Sequence, residues 1–137
     1  MSKSHFNRRA AMRAMCLNLL AGAACAITSL LQAAEPVDYL RQVKPLLARH
    51  CVECHGSKRQ ESGLRLDTAA RALKGGTSGP AIIPGKSGES LLIQAVTGND
   101  LVDRMPLKKD PLADTDISLL KAWIDEGAKA PAEPEPK

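Results

Sequence analysis

The chain has 137 residues, with 19 Lys and Arg against 15 Asp and Glu, a formal net charge of +4, and one each of Trp, Tyr and Phe. The excess charge sits in residues 1–34, where Lys3, Arg8, Arg9 and Arg13 meet no acidic residue, so the remaining 103 residues carry 15 of each sign. That balance offers no support for nucleic-acid binding, which would need a basic face, and the length suffices for one small domain and no more.

Residues 1–34 read as a secretory leader. The four basic residues form its head, and an apolar, alanine-rich run at 17–31 forms its body. The run is too short and too rich in Ala and Gly for a membrane span, so cleavage after Ala33 or Ala34 is expected, with a retained or lipidated anchor as the lesser alternative. Export places the rest of the chain in the periplasm. Cys16, Cys25, Met1, Met12, Met15 and Phe6 leave with the leader. The chain beyond residue 34 holds two cysteines, one methionine, and Tyr39 and Trp123 as its aromatics.

The expected organisation is a leader at 1–34, one domain at 35–129 and a Pro/Glu-rich disordered tail at 130–137. The spacing of Tyr39, Leu40, Val43, Leu46 and Leu47 predicts a helix over 37–51, capped by Asp38 and kinked or split by Pro45. A polar loop at 57–62 and an extended stretch at 63–66 come next. A short helix over 67–73 is expected behind Asp67, ended by Gly75 and Gly76. Residues 81–83 are too short for more than an isolated extended piece. A helix over 89–96 stops at Gly98, and a last helix over 115–126 starts behind Asp114, presents Ile117, Leu120, Trp123 and Ile124, and closes at Gly127.

At the end of the first helix stands Cys51-Val52-Glu53-Cys54-His55, a C-x-x-C-H sequence. This is the attachment signature of a covalent c-type haem. Two thiols three residues apart lie on one side of a helical turn and can add to the two vinyl groups on one porphyrin edge. His55 follows directly as the proximal iron ligand. A thioredoxin-like pair would need a βαβ setting that the pattern lacks. A zinc site could draw on His50, Cys51, Cys54 and His55, but neighbouring side chains on a helix diverge and no second Cys/His cluster follows. A chain of this size with two aromatics has a thin core, which a buried porphyrin would thicken.

Residues 80–87, Pro-Ala-Ile-Ile-Pro-Gly-Lys-Ser, sit one substitution from a phosphate-binding loop. Pro80 replaces the first glycine and Pro84 deletes a donor N–H, so a rigid turn is the expectation.

Iron held by His55 has one axial position left. Met105, 50 residues on and followed by Pro106, is the one thioether after the leader. His/Met ligation suits electron transfer, whereas a methionine that only fills a core gap would leave the position open. His50 shares the proximal helix, and Lys108 and Lys109 suit a solvated loop or docking rim. Arg65 and Arg104 are candidates for the haem propionates, or else solvated.

With these residues in place the chain resembles the planctomycete-type cytochrome c domain, a branch of the small class I c-type cytochromes. The resemblance rests on Pro45-Leu46-Leu47, His50 to Gly56, Gly63 to Asp67, Lys74-Gly75-Gly76, Ser78-Gly79-Pro80, Pro84-Gly85-Lys86, Glu89 to Leu92, Met105-Pro106, Ala122-Trp123-Ile124 and Gly127-Ala128. It implies an all-α fold with Gly/Pro-rich loops, its first and last helices crossing beside one covalent haem c. It also implies Cys51 and Cys54 as thioether sites, with His55 and Met105 as the iron ligands. Leu107 departs from the second proline that the family often places there. The implied role is an electron carrier between separate periplasmic donor and acceptor proteins, rather than an enzyme. The alternatives are a haem protein with an open or labile sixth site, gas-binding or peroxidase-like, and a haem subunit docked in a larger redox complex.

Overall fold

The computed structural model describes residues 35–98 and 103–136; the expected leader lies outside them. Asp38 opens the first helical stretch, its carboxylate accepting the Arg41 N–H at 3.0 Å. The stretch does split, just ahead of Pro45. Tyr39–Val43 form a π-helical turn, and Lys44–His50 form an α-helix, α1, with the proline in its first turn. A proline inside a continuous helix would clash with the carbonyl four residues back. In the wider turn the Lys44 N–H reaches the Tyr39 carbonyl, which absorbs one extra residue and delivers Pro45 to a helix start, where its missing N–H costs nothing.

Helix α2 spans Ala69–Lys74 and ends at Gly75. Its cap is Thr68, whose hydroxyl accepts the Arg71 N–H at 3.3 Å, where the sequence predicts Asp67. The Asp67 carboxylate is taken instead by the Arg65 guanidinium through two bonds of 3.0 and 2.7 Å. A two-bond charged pair outweighs a single neutral cap. Arg65 is thereby oriented, with its Nη1 left to reach the Glu135 carboxylate at 3.3 Å. Gly75 sits at φ 78, and a Cβ there would lie 2.2 Å from the Gly79 carbonyl oxygen, so this turn requires glycine.

Helix α3 spans Leu91–Thr97 behind a 3₁₀ turn at Ser87–Glu89. The buried Ser90 hydroxyl accepts the Ile83 N–H and donates to the Lys86 carbonyl, both at 2.9 Å, which fixes the helix start two residues later than the periodicity suggests. The segment resembling a phosphate loop is indeed a docked turn. The Ser87 N–H and hydroxyl both donate to the Asp125 carboxylate at 2.8 Å, and the Gly85 N–H donates to the Ile124 carbonyl at 2.7 Å. Its donors are spent on helix α4, Asp114–Asp125. Ala113 holds the cap position of α4, and Asp114 and Asp116 lie in its first turn, where carboxylates favour the helix dipole.

Among the described residues the fold is all-α, with no strand and two isolated bridges, His55 with Gln60 and Gly76 with Gly79. Residues Pro36–Lys137 form one unit around a single core. Leu120, Trp123 and Ile124 of α4 are fully buried together with Val43, Leu46 and Leu47 of the first stretch. The Tyr39 and Trp123 rings meet at 5.4 Å between centroids, tilted by 32°, and the indole N–H donates to the Lys129 carbonyl at 2.9 Å. The two aromatics thus join the first and last helical segments.

The tail expected from its composition to be disordered makes side-chain contacts with the domain. Residues 130–136 form no helix, yet the Glu133 side chain is 5% exposed, pairs with Lys44 and accepts the Ala69 N–H at 3.1 Å. Glu135 pairs with Arg71 at 2.9 Å and with Arg65 at 3.3 Å. Composition reports the absence of large apolar residues here, but not cations placed by distant segments.

Replacing Trp123 by Ala should cost about 3–5 kcal/mol, read from denaturant midpoints, because it empties the junction of the first and last helices. The Ser87 N–H, then its hydroxyl, hold the Asp125 carboxyl below the usual carboxylate range. A depressed folded pKa gives stability that is complete above the unfolded value, about 3.9, and is lost as pH falls through the folded one. The stability advantage over Asp125→Asn should therefore be full at neutral pH and vanish in acid, measured by denaturant titrations across that range.

Candidate functional site

The site begins where α1 ends. The Leu47 carbonyl, at a residue with no exposed surface, accepts the N–H groups of both Cys51 and Val52 at 2.8 and 3.1 Å. The Cys51 carbonyl then accepts from Cys54 at 3.1 Å and His55 at 2.9 Å. The five motif residues therefore make one closed turn beyond the helix, and the two cysteines share it. Cys51 is half-buried against the core, Cys54 is half-buried beside it, and both thiols are free. Burial, and secondarily Cys54, push the Cys51 thiol up to about 11.

The chain after the motif folds back onto it. The Glu61 N–H donates to the Cys54 carbonyl at 3.0 Å, the Gly56 N–H to the Arg59 carbonyl at 2.7 Å, and the buried Leu66 N–H to the His55 carbonyl at 2.7 Å. His55 is thus fixed through its backbone from both sides. Its ring nitrogen Nδ1 is buried with no hydrogen-bond partner among the described residues. His50 Nε2 is buried and unpartnered too, with the Asp116 carboxylate 3.9 Å away, beyond hydrogen-bond reach. Among the described residues no three or more of His, Cys, Asp and Glu gather as a metal site, so the zinc reading lacks its ligand set.

Met105 is half-buried on the loop that follows α3. Its N–H donates to the Ala95 carbonyl at 2.8 Å, which anchors the loop to α3, and the Lys109 N–H turns back to the Pro106 carbonyl at 3.4 Å. The Lys109 ammonium pairs with the Glu53 carboxylate. Glu53 lies between the two cysteines, so this pair fastens the Met105 loop to the C-x-x-C-H turn. Each partner shifts the other, Glu53 downward and Lys109 upward, chiefly through their hydrogen bond. Sequence pattern puts Lys109 on a solvated loop or rim and carries no sign of this contact. Nothing local marks two charges 56 residues apart as a pair. Arg104 remains exposed and packs along Gly98.

The donor set fits a covalently held haem. One turn supplies two free thiols and a buried imidazole nitrogen without a partner, and a tethered loop supplies a thioether. Residues 51–108 match the family model described as Planctomycete cytochrome C. The match begins at the first cysteine of the motif and ends three residues past Met105, so it spans both halves of this site. No curated protein and no solved structure matches the chain. Over that segment the chain is similar to planctomycete cytochrome c, a c-type cytochrome family whose cofactor is haem c.

Gly56 closes the turn where a Cβ would stand 2.5 Å from the Val52 carbonyl oxygen and 2.9 Å from Val52 Cγ1. Gly56→Ala should distort the motif backbone, at a cost of about 1–3 kcal/mol. The expected result is a reduced fraction of haem-loaded chain, measured as the ratio of Soret absorbance to protein.

Proposed function

We propose that this chain is an exported cytochrome that carries single electrons between separate redox proteins, with one haem c bound through Cys51 and Cys54 and with His55 and Met105 as axial ligands. The observation that carries the reading is the Glu53–Lys109 pair, which ties the one thioether after the leader to the turn bearing both cysteines and the histidine. The family match across the same residues supports a c-type haem at this turn.

When bound, the haem supplies a one-electron couple at its iron. The protein's part is to keep both ligands in place across that change. His55 is held by its own N–H and carbonyl, and Met105 by its N–H on Ala95 and by the Lys109 anchor. Ligands fixed by backbone bonds move little between redox states, which keeps reorganisation small. Met105 would hold the iron through a thioether, a soft ligand that would raise its reduction potential relative to harder ones. Glu53 and Lys109 also stand as charges beside the cysteines, where a partner would approach.

Among the described residues no helix is long and apolar enough to cross a membrane. Residues 1–34 have the composition of a leader, which supports export to the periplasm.

Met105→Ala tests the ligand assignment. The haem-loaded variant should lose the far-red Fe–S charge-transfer band of the ferric protein and show a lower reduction potential by voltammetry. An unchanged band and potential would remove Met105 from the iron.

A further inference from the structure

We propose that Lys44, Arg65 and Arg71 form a binding site for an extended acidic segment of a partner protein, one bearing two carboxylates on either side of a proline. Residues 130–136 of this chain fill the site as a built-in competitor. The site is separate from the C-x-x-C-H turn and uses none of its residues.

The three cations come from different segments. Lys44 opens α1, Arg65 precedes α2 and Arg71 lies within α2. Their convergence is visible in what they hold. Lys44 takes Glu133, while Arg71 takes Glu135 at 2.9 Å and the Nη1 of Arg65 takes the same carboxylate at 3.3 Å. Arg65 is largely buried, 11% exposed, and is oriented by its two bonds to Asp67, so Nη1 is presented without freedom to turn away. This is a preformed anion-recognising group rather than a mobile surface arginine.

The occupying segment is held in an unusual way. Glu133-Pro134-Glu135-Pro136 cannot form a helix, and the prolines lack N–H groups. Among the described residues, the bonds that hold 131–136 come from the two carboxylates and not from its backbone. Recognition therefore reads carboxylate spacing in an extended chain. Beside the cations lies a cavity of about 310 Å³, walled by Ala69, Leu73 and Ala128 on one side and by Pro131 and Ala132 of the tail on the other. The walls that belong to the domain, Ala69, Leu73 and Ala128, are apolar and face Pro131 and Ala132 of the tail. Leu73, on α2, stays 36% exposed along the cavity.

Glu133 is buried and anchors the tail, while residues 134–136 are the part held loosely enough to release. Glu135 is half exposed, and ion pairs open to water hold weakly because solvent and salt screen them. Without backbone bonds, little else retains residues 134–136. The tether keeps the tail at an effective concentration on the order of millimolar, so an outside segment competes only at that level, or once the tail is neutralised or removed.

The probe is a fluorescein-labelled synthetic peptide of residues 130–136, followed by anisotropy with the haem-loaded protein. Two receptors are compared with the full chain: a chain ending at Lys129, and the full-length E133Q/E135Q double variant. The full chain should show little binding. Both receptors should bind the peptide at least roughly tenfold more tightly, weaken as salt screens the ion pairs, and lose binding when Arg71→Glu is added. Should the shortened chain fail to fold, as judged by circular dichroism, the double variant decides alone. Absence of binding to a folded receptor, or binding indifferent to Arg71→Glu, overturns the proposal and leaves the tail a structural strap. The readout does not involve the haem, so failure here leaves the ligand assignment untouched.

Discussion

Leu47 carries two duties at once, and the rest of the structure depends on that coincidence. Its side chain is fully buried with Leu120, Trp123 and Ile124 of α4, while its carbonyl accepts the N–H groups of Cys51 and Val52. Packing of the last helix against the first therefore sets where the C-x-x-C-H turn starts. A turn beyond a helix end, with no strand to brace it, would otherwise fray. Here the returning loop closes it through the carbonyls of Cys54 and His55.

The other half of the site arrives by a different route. Among the described residues the Met105 loop is held at Ala95 on α3 and at Glu53 in the motif. An exposed ion pair contributes little to global stability. Its value here is positional, since it joins two segments that share no helix. For the electron carrier proposed above, rigid ligand geometry would matter more than stability, because ligand motion between redox states slows transfer. The core supplies rigidity on the cysteine side, and the loop anchors supply it on the methionine side.

Much of this was legible in the sequence, for physical reasons that also explain the failures. Helices α3 and α4 and the first helical stretch follow from apolar periodicity, and Gly75, Gly98 and Gly127 end helices where expected because each adopts positive φ. The motif residues follow from spacing, since thioether chemistry constrains cysteines within one turn. Errors arose where the deciding partner lay far along the chain or had a competing partner nearby. Asp67 has the composition of a cap, but Arg65 two residues away claims its carboxylate. Glu133 and Glu135 look disordered until Lys44, Ala69, Arg65 and Arg71 are brought beside them. Pro45 signals a break, but its arrival at a helix start rather than at a simple kink depends on the π turn before it. Charge pairing at long range, as between Glu53 and Lys109, leaves no local pattern to read.

The central claim is that Met105 and His55 face one iron. The most direct measurement is the proton NMR spectrum of the ferrous, haem-loaded protein. Met105 is the one methionine in residues 35–137, so in protein that lacks residues 1–34 its methyl signal needs no assignment by mutation. Ligation above a porphyrin face predicts that this methyl resonates far upfield, outside the ordinary methionine range, through the ring current. A methionine methyl at its ordinary position, in protein whose haem is attached, would contradict the account.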